Sequence, residues 1–230
     1  MNELQGAFLR RERAGEHLTN LDSLVSSLVS TCANGVLAYQ DPESEEWQPA
    51  PWVINPLRLR VGMLAGEAIY NLRAALDYLV YVVAESDSGV PQGGTQFLIE
   101  DSQQGFTARR PRYLKGVSEE HVAVIRQFQP YKGCEWTRTL RDLSNTDKHR
   151  ELASVHVNFA MTAFGTVTEW RFGGEVGAES EPTEHDVGVY LKGPAEVLLP
   201  DGRPLVETLR ELEAQVGVVL FLFSYEFPSG

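Results

Sequence analysis

Cysteine is scarce: of 230 residues only Cys32 and Cys134 carry a thiol, and no CxxC or Cys/His spacing accompanies either. That argues against a disulfide framework and a structural zinc site. Long apolar runs are missing too; nowhere do about eighteen apolar residues follow one another, the length a membrane helix needs. The opening Met1-Asn2-Glu3-Leu4-Gln5 mixes in charge and has no apolar signal core. Neither secretion nor membrane spanning is therefore expected, and a reducing cytoplasm is the expected compartment. Sequence patterns that announce chemistry are also absent. There is no GxSxG or HExxH, and Gly62, Gly66, Gly93 and Gly94 do not form a phosphate-binding loop after a strand. His17, His121, His156 and His185 are scattered and read as surface or packing residues. Cys134 precedes Glu135, whose charge would raise the thiol pKa and blunt it as a nucleophile. No metal or cofactor is expected.

What is present is an ordinary globular balance, with 43% hydrophobic and 23% charged residues, enough to bury a core as one domain over 1–230. The net charge of -12 would repel a nucleic-acid backbone if it were spread evenly. It is not: residues 101–150 hold 10 Lys and Arg against 6 acids, and residues 171–230 hold 11 acids against 4 bases. The run Arg109-Arg110-Pro111-Arg112 reads as a solvated loop in preference to a phosphate-binding patch.

Hydrophobic periodicity predicts an α+β protein, a bundle of about five helices with a small antiparallel β-meander inserted before the C-terminal helix. The helical core is expected over 2–31, 62–85, 118–151 and 204–224, and the β-rich insertion over 153–199. Asn34-Gly35 stops the first helix, and Ser118 followed by Glu119 and Glu120 starts a later one. Pro42, Pro49, Pro51 and Pro56 suggest an extended connector with one or two short strands. Residues 86–116 read as a Gly/Ser/Gln-rich loop around the apolar run Phe97-Leu98-Ile99. Period-two alternation from Val155 to Met161, and apolar runs near 166–172, 187–191 and 196–199, give the strands.

Two polar clusters stand inside these apolar patterns. One is Asn71-Leu72-Arg73-Ala74-Ala75-Leu76-Asp77-Tyr78; the other is Leu143-Ser144-Asn145-Thr146-Asp147-Lys148-His149-Arg150. Half-buried charge is costly unless paired, so the clusters either brace the core or form a site. At about 100° per residue, Tyr70, Arg73, Asp77 and Tyr81 share one flank of the apolar stripe, and Glu67, Asn71, Tyr78 and Glu85 share the other. Arg73 and Asp77 are i,i+4 neighbours able to form a salt bridge. In the second cluster Asn145 and Asp147 can close the helix, while Lys148, His149 and Arg150 complement its negative pole. Adjacent helical residues point about 100° apart, so at most two of those three bases serve one ligand. Asp147 orienting the His149 imidazole beside Arg73 is the catalytic arrangement these residues allow.

The run from Ala65 to Leu79, then Gln129-Pro130-Tyr131, then Leu143 to Arg150, resembles a widespread group of bacterial proteins with an NLRSALDHL-type helix and a DKHR-type segment. The likeness spans roughly residues 60–155. The helix is also similar to the HEPN superfamily, helical domains that often dimerise and in many members cleave RNA through an arginine and a histidine four to six residues apart. Carried over, that resemblance puts Arg73 at the arginine's place and Tyr78 at the histidine's. A phenol with an ordinary pKa near 10 is a poor general base at neutral pH. The resemblance therefore implies a binding domain for RNA, a nucleotide or a protein partner without strong catalysis, in some form a homodimer. Arg73, Asn71, Asp77, Tyr78, Asn145, Asp147, Lys148 and Arg150 are its candidate contacts. The alternatives are a metal-independent ribonuclease of the toxin or phage-defence type using Arg73 and His149, and a structural subunit of an assembly.

Overall fold

Two long helices within the first 88 residues set the frame. In the computed structural model, residues 4–43, 47–148, 156–157, 162–164, 189–191 and 193–225 are described. Helix α1 (Gln5–Asn34) buries Leu18, Leu21 and Leu28 and stops at Gly35, whose N–H donates to the Thr31 carbonyl. Helix α2 (Pro51–Ser88) is 38 residues long, about 57 Å at the usual rise. It starts well before the expected residue 62 and runs through Pro56. Proline at the first helical position is pre-organised for the helix, whereas Pro56 forgoes one main-chain bond, so neither keeps this stretch out of α2.

The two helices run antiparallel, joined along the second flank of α2. His17 Nδ1 lies 2.9 Å from Glu67 Oε2, Arg10 Nη1 donates to Asn71 Oδ1 at 3.4 Å, and the Tyr78 ring lies against Gly6. A Cβ at Gly6 would stand 3.1 Å from Tyr78 Cδ1, so this close approach favours glycine.

Helix α3 (Gln103–Tyr113) occupies a stretch expected to be a loop. Only its Phe106 is buried, so the segment shows no apolar period; Ser102 caps it by accepting from the Gly105 N–H. Helix α4 (Glu119–Gln127) is capped as expected by Ser118, which accepts from the His121 N–H. A short 3₁₀ turn (Pro130–Lys132) ends at Gly133 with φ 92°, then come α5 (Glu135–Lys148) and the closing α6 (Leu205–Ser224). A contiguous core is filled by Leu18 and Leu21 from α1, Ile69, Leu72, Leu76 and Leu79 from α2, and Leu209, Leu220 and Phe223 from α6. Each such side chain contributes roughly 1.5–3 kcal/mol by leaving water.

The fold is α+β as expected, with small antiparallel sheets ahead of α6, and the larger sheet also takes strands from the proline-rich connector. Strands β1 (Val36–Gln40) and β2 (Trp47–Pro49) come from the proline-rich connector, and β3 (His156–Val157), β4 (Thr162–Phe164), β5 (Val189–Leu191) and β6 (Val197–Leu198) from the later region. Four of them form one antiparallel sheet in the order β2-β1-β5-β4, while β3 pairs with β6. The connector supplies β5 with its partner through Val36↔Leu191 and Leu37↔Tyr190. Long-range pairing of this kind leaves no local trace. The strand expected over 166–172 lies outside the described residues, as do residues 149–155.

Candidate functional site

Arg73 and Asp77 project from the flank of α2 that faces the extended segment Phe97-Leu98-Ile99-Glu100-Asp101. Arg73 Nη2 donates to the Phe97 carbonyl at 2.6 Å, and the Phe97 N–H donates to Asp77 Oδ1 at 2.9 Å. The pair itself closes at 3.2 Å. Two side chains thus stand in for a neighbouring strand, satisfying both polar groups of one buried residue. Gln129 does the same one step further along. Fully buried, it donates to the Leu98 carbonyl at 2.7 Å and accepts from the Glu100 N–H at 2.8 Å. Asp101 completes the grip, lying 2.8 Å from Arg138 Nε and 2.9 Å from Arg141 Nη1. These bonds hold the Asp101 carboxyl below the usual carboxylate range.

Beside this segment, α2, α3 and α5 enclose a cavity of about 160 Å³ lined by Arg73, Glu100, Arg109, Arg141, Ser144 and Asn145 among others. The expectation that the two polar clusters meet can thus be read directly: Arg73 of the first and Ser144 and Asn145 of the second line the same cavity. The three guanidinium groups are graded in depth. Arg73 has 14% of its side chain exposed, Arg141 23% and Arg109 63%. Arg109 pairs with Glu100 at 3.1 Å, and Arg141 with Asp142 at 2.8 Å as well as with Asp101. Arg73 differs: its Nη1 is buried and has no hydrogen-bond partner among the described residues. Burial is the largest influence on this guanidinium and pulls its pKa below the ordinary arginine value; Asp77 opposes the shift and Arg141 adds to it. An arginine keeps its proton regardless, so the consequence is an undersatisfied buried cation facing a second cation, a place that favours an anion.

The other candidate residues fall elsewhere. Asn71 is buried on the α1 side of α2, donating to the Glu67 carbonyl at 2.8 Å. Tyr78 shares that side, with Arg10 over its ring at 5.5 Å, and is not among the cavity's lining residues. The backbone of Asp147 and Lys148 belongs to the last turn of α5. His149 and Arg150 lie outside the described residues.

Three contributors were not singled out in the sequence. Arg141 is one turn before Asn145 and so on its face of α5, a spacing that carries the signal. Arg109 belongs to a run read as a solvated loop; it sits in α3 with its head toward Glu100. Gln129 stands in the Gln129-Pro130-Tyr131 run that carries the resemblance, but nothing local reveals a bond to a residue about thirty positions away.

His17 and His121 are structural. His121 Nδ1 lies 2.7 Å from Asp87 and 3.1 Å from Ser118 Oγ, and its ring packs on Phe223. Serine and aspartate meet the same ring nitrogen, which is not the geometry of a nucleophile relay, where they occupy opposite nitrogens. Burial raises the thiol pKa of both Cys32 and Cys134, which keeps them inert; for Cys134 the direction is as expected, and burial is its cause. Among the described residues no group of histidine, cysteine and carboxylate side chains has metal-holding geometry, and no helix is long and apolar enough to cross a membrane. No protein-family model, curated protein or solved structure matches the chain.

Proposed function

We propose that this chain is a HEPN-like helical domain that binds a phosphate-bearing ligand, RNA or a nucleotide, at the Arg73 cavity, without strong catalysis. The observation that carries this reading is the cavity lined by Arg73, Arg109 and Arg141, beside which Arg73 Nη1 is buried without a hydrogen-bond partner among the described residues. Guanidinium forks match phosphate oxygens in pairs, and charge-assisted bonds to them are about twice as strong as neutral ones. The described lining has the phenol of Tyr113 and the carboxylate of Glu100, which Arg109 pairs, but no imidazole, the side chain that most often transfers protons; this supports binding over chemistry.

Fluorescence anisotropy with a labelled single-stranded RNA tests this. Binding is expected to weaken with salt, the logarithmic slope being about -0.7 for each phosphate engaged. In the same samples the RNA is expected to stay intact over hours, and His149→Ala is expected to change neither affinity nor integrity. Cleavage that disappears in His149→Ala would replace this reading with the ribonuclease one. Absence of binding at low salt would remove it.

A further inference from the structure

Resting on the phosphate-binding reading, we infer that the cavity seats a terminal phosphate monoester, the free end of a nucleotide or RNA strand, in preference to a phosphodiester within a strand.

Size is the first reason. Pockets that enclose whole organic ligands run to about 300–1,000 Å³. At about 160 Å³ this cavity takes a tetrahedral oxyanion with a few waters, and leaves a sugar and base outside. Depth is the second. Arg73 is the most buried of the three arginines that line the cavity, so a ligand oxygen that reaches it must come inward. A monoester has three unesterified oxygens and one arm, which can point back through the mouth. A diester has two free oxygens and two arms, and both flanking nucleotides would have to pass the walls formed by Phe97, Tyr113 and Ser144. Charge is the third. A monoester carries about -1.5 to -2 at neutral pH, whereas a diester carries -1. The lining has three guanidinium groups and one carboxylate, Glu100, and each guanidinium also meets an acid: Arg109 meets Glu100, Arg141 meets Asp101 and Asp142, and Arg73 meets Asp77. A dianion draws more from these lining cations than a monoanion does.

Arginines graded from floor to rim suit that entry: Arg109, the most exposed, meets the incoming group first, Arg141 next and Arg73 last. Asn145, exposed at the end of α5, adds an amide donor at the mouth.

The test compares single-stranded RNAs of about twelve nucleotides, internally labelled, carrying a 5′-phosphate, a 3′-phosphate or hydroxyls at both ends. One phosphorylated form is expected to bind the wild-type chain about 10-fold more tightly than the dihydroxyl form, the yield of one charge-assisted bond. In Arg141→Met, which alters a less buried residue than Arg73 and whose folding is checked by circular dichroism, that preference is expected to fall below about twofold. A nucleoside monophosphate is expected to compete and the nucleoside is not. Equal affinities for all three RNAs, lowered together in Arg141→Met, would overturn the terminal-phosphate inference and leave the binding reading standing. Failure of every RNA and of inorganic phosphate to bind would remove both.

Discussion

Gln129→Leu is expected to cost the folded chain about 3 kcal/mol, read as a lower urea midpoint with an unchanged slope. The side chain is fully buried and its amide serves two other main-chain groups, the Leu98 carbonyl and the Glu100 N–H, besides the Ile125 carbonyl one turn back. Leucine is close in volume, so packing is kept and the hydrogen bonds are removed. Each main-chain group left without a partner in the interior costs about 1–3 kcal/mol. That sum is a large fraction of the stability of an ordinary domain. The same substitution is expected to loosen residues 96–100, which line one side of the cavity, so phosphate affinity should fall with stability. A midpoint shift worth less than about 0.5 kcal/mol would mean that water reaches these groups and that Gln129 is no clamp.

Arg73→Met is expected to lower affinity for RNA by about 10- to 100-fold, as befits a lost charge-assisted bond of about 1.5–3 kcal/mol. It should also cost about 1–2 kcal/mol of stability, because the Phe97 carbonyl loses its donor. Arg73→Lys separates the two roles. A single ammonium can still reach toward Phe97 or Asp77, but it cannot present a second nitrogen to a ligand while doing so. Its stability should lie near wild type and its affinity near that of the methionine variant. If both variants bind RNA as the wild type does, Arg73 is a structural brace only, and the cavity has no part in recognition.

Periodicity made much of the helical frame legible. The positions of α1, α4, α5 and α6 follow from their apolar spacing, and Ser118 caps α4 as its residue type predicts. The two flanks of α2 also follow from helix geometry: Asn71 and Tyr78 face α1, while Arg73 and Asp77 face the 97–101 segment. The failures share a physical cause, which is that long-range partners override local signals. Helix α3 carries one buried residue and so has no period to read, and it is held by Ser102 at one end and by arginine-carboxylate pairs along its side. The apolar run Phe97-Leu98-Ile99 was visible, but its extended shape is dictated by side chains from α2 and from Gln129. Short strands were expected in the connector, where β1 and β2 form, but the pairing of β1 with β5, about 150 residues later, has no local signal. For the site, Arg73 and Asn145 were legible as polar residues inside apolar helices. Arg141 and Arg109 were not, because an arginine on a helix surface looks the same whether it meets water or a cavity.

The most direct measurement is the arginine side-chain NMR spectrum of the folded chain during titration with inorganic phosphate, with Arg73 and Arg141 assigned from their lysine variants. The Arg73 guanidinium signals are expected to move in a saturable way and to sharpen as its free nitrogen gains a partner, with Arg141 following at the same phosphate concentration. Arg73 signals that stay unmoved while Arg13, Arg210 or other outward-facing arginines respond would contradict the account.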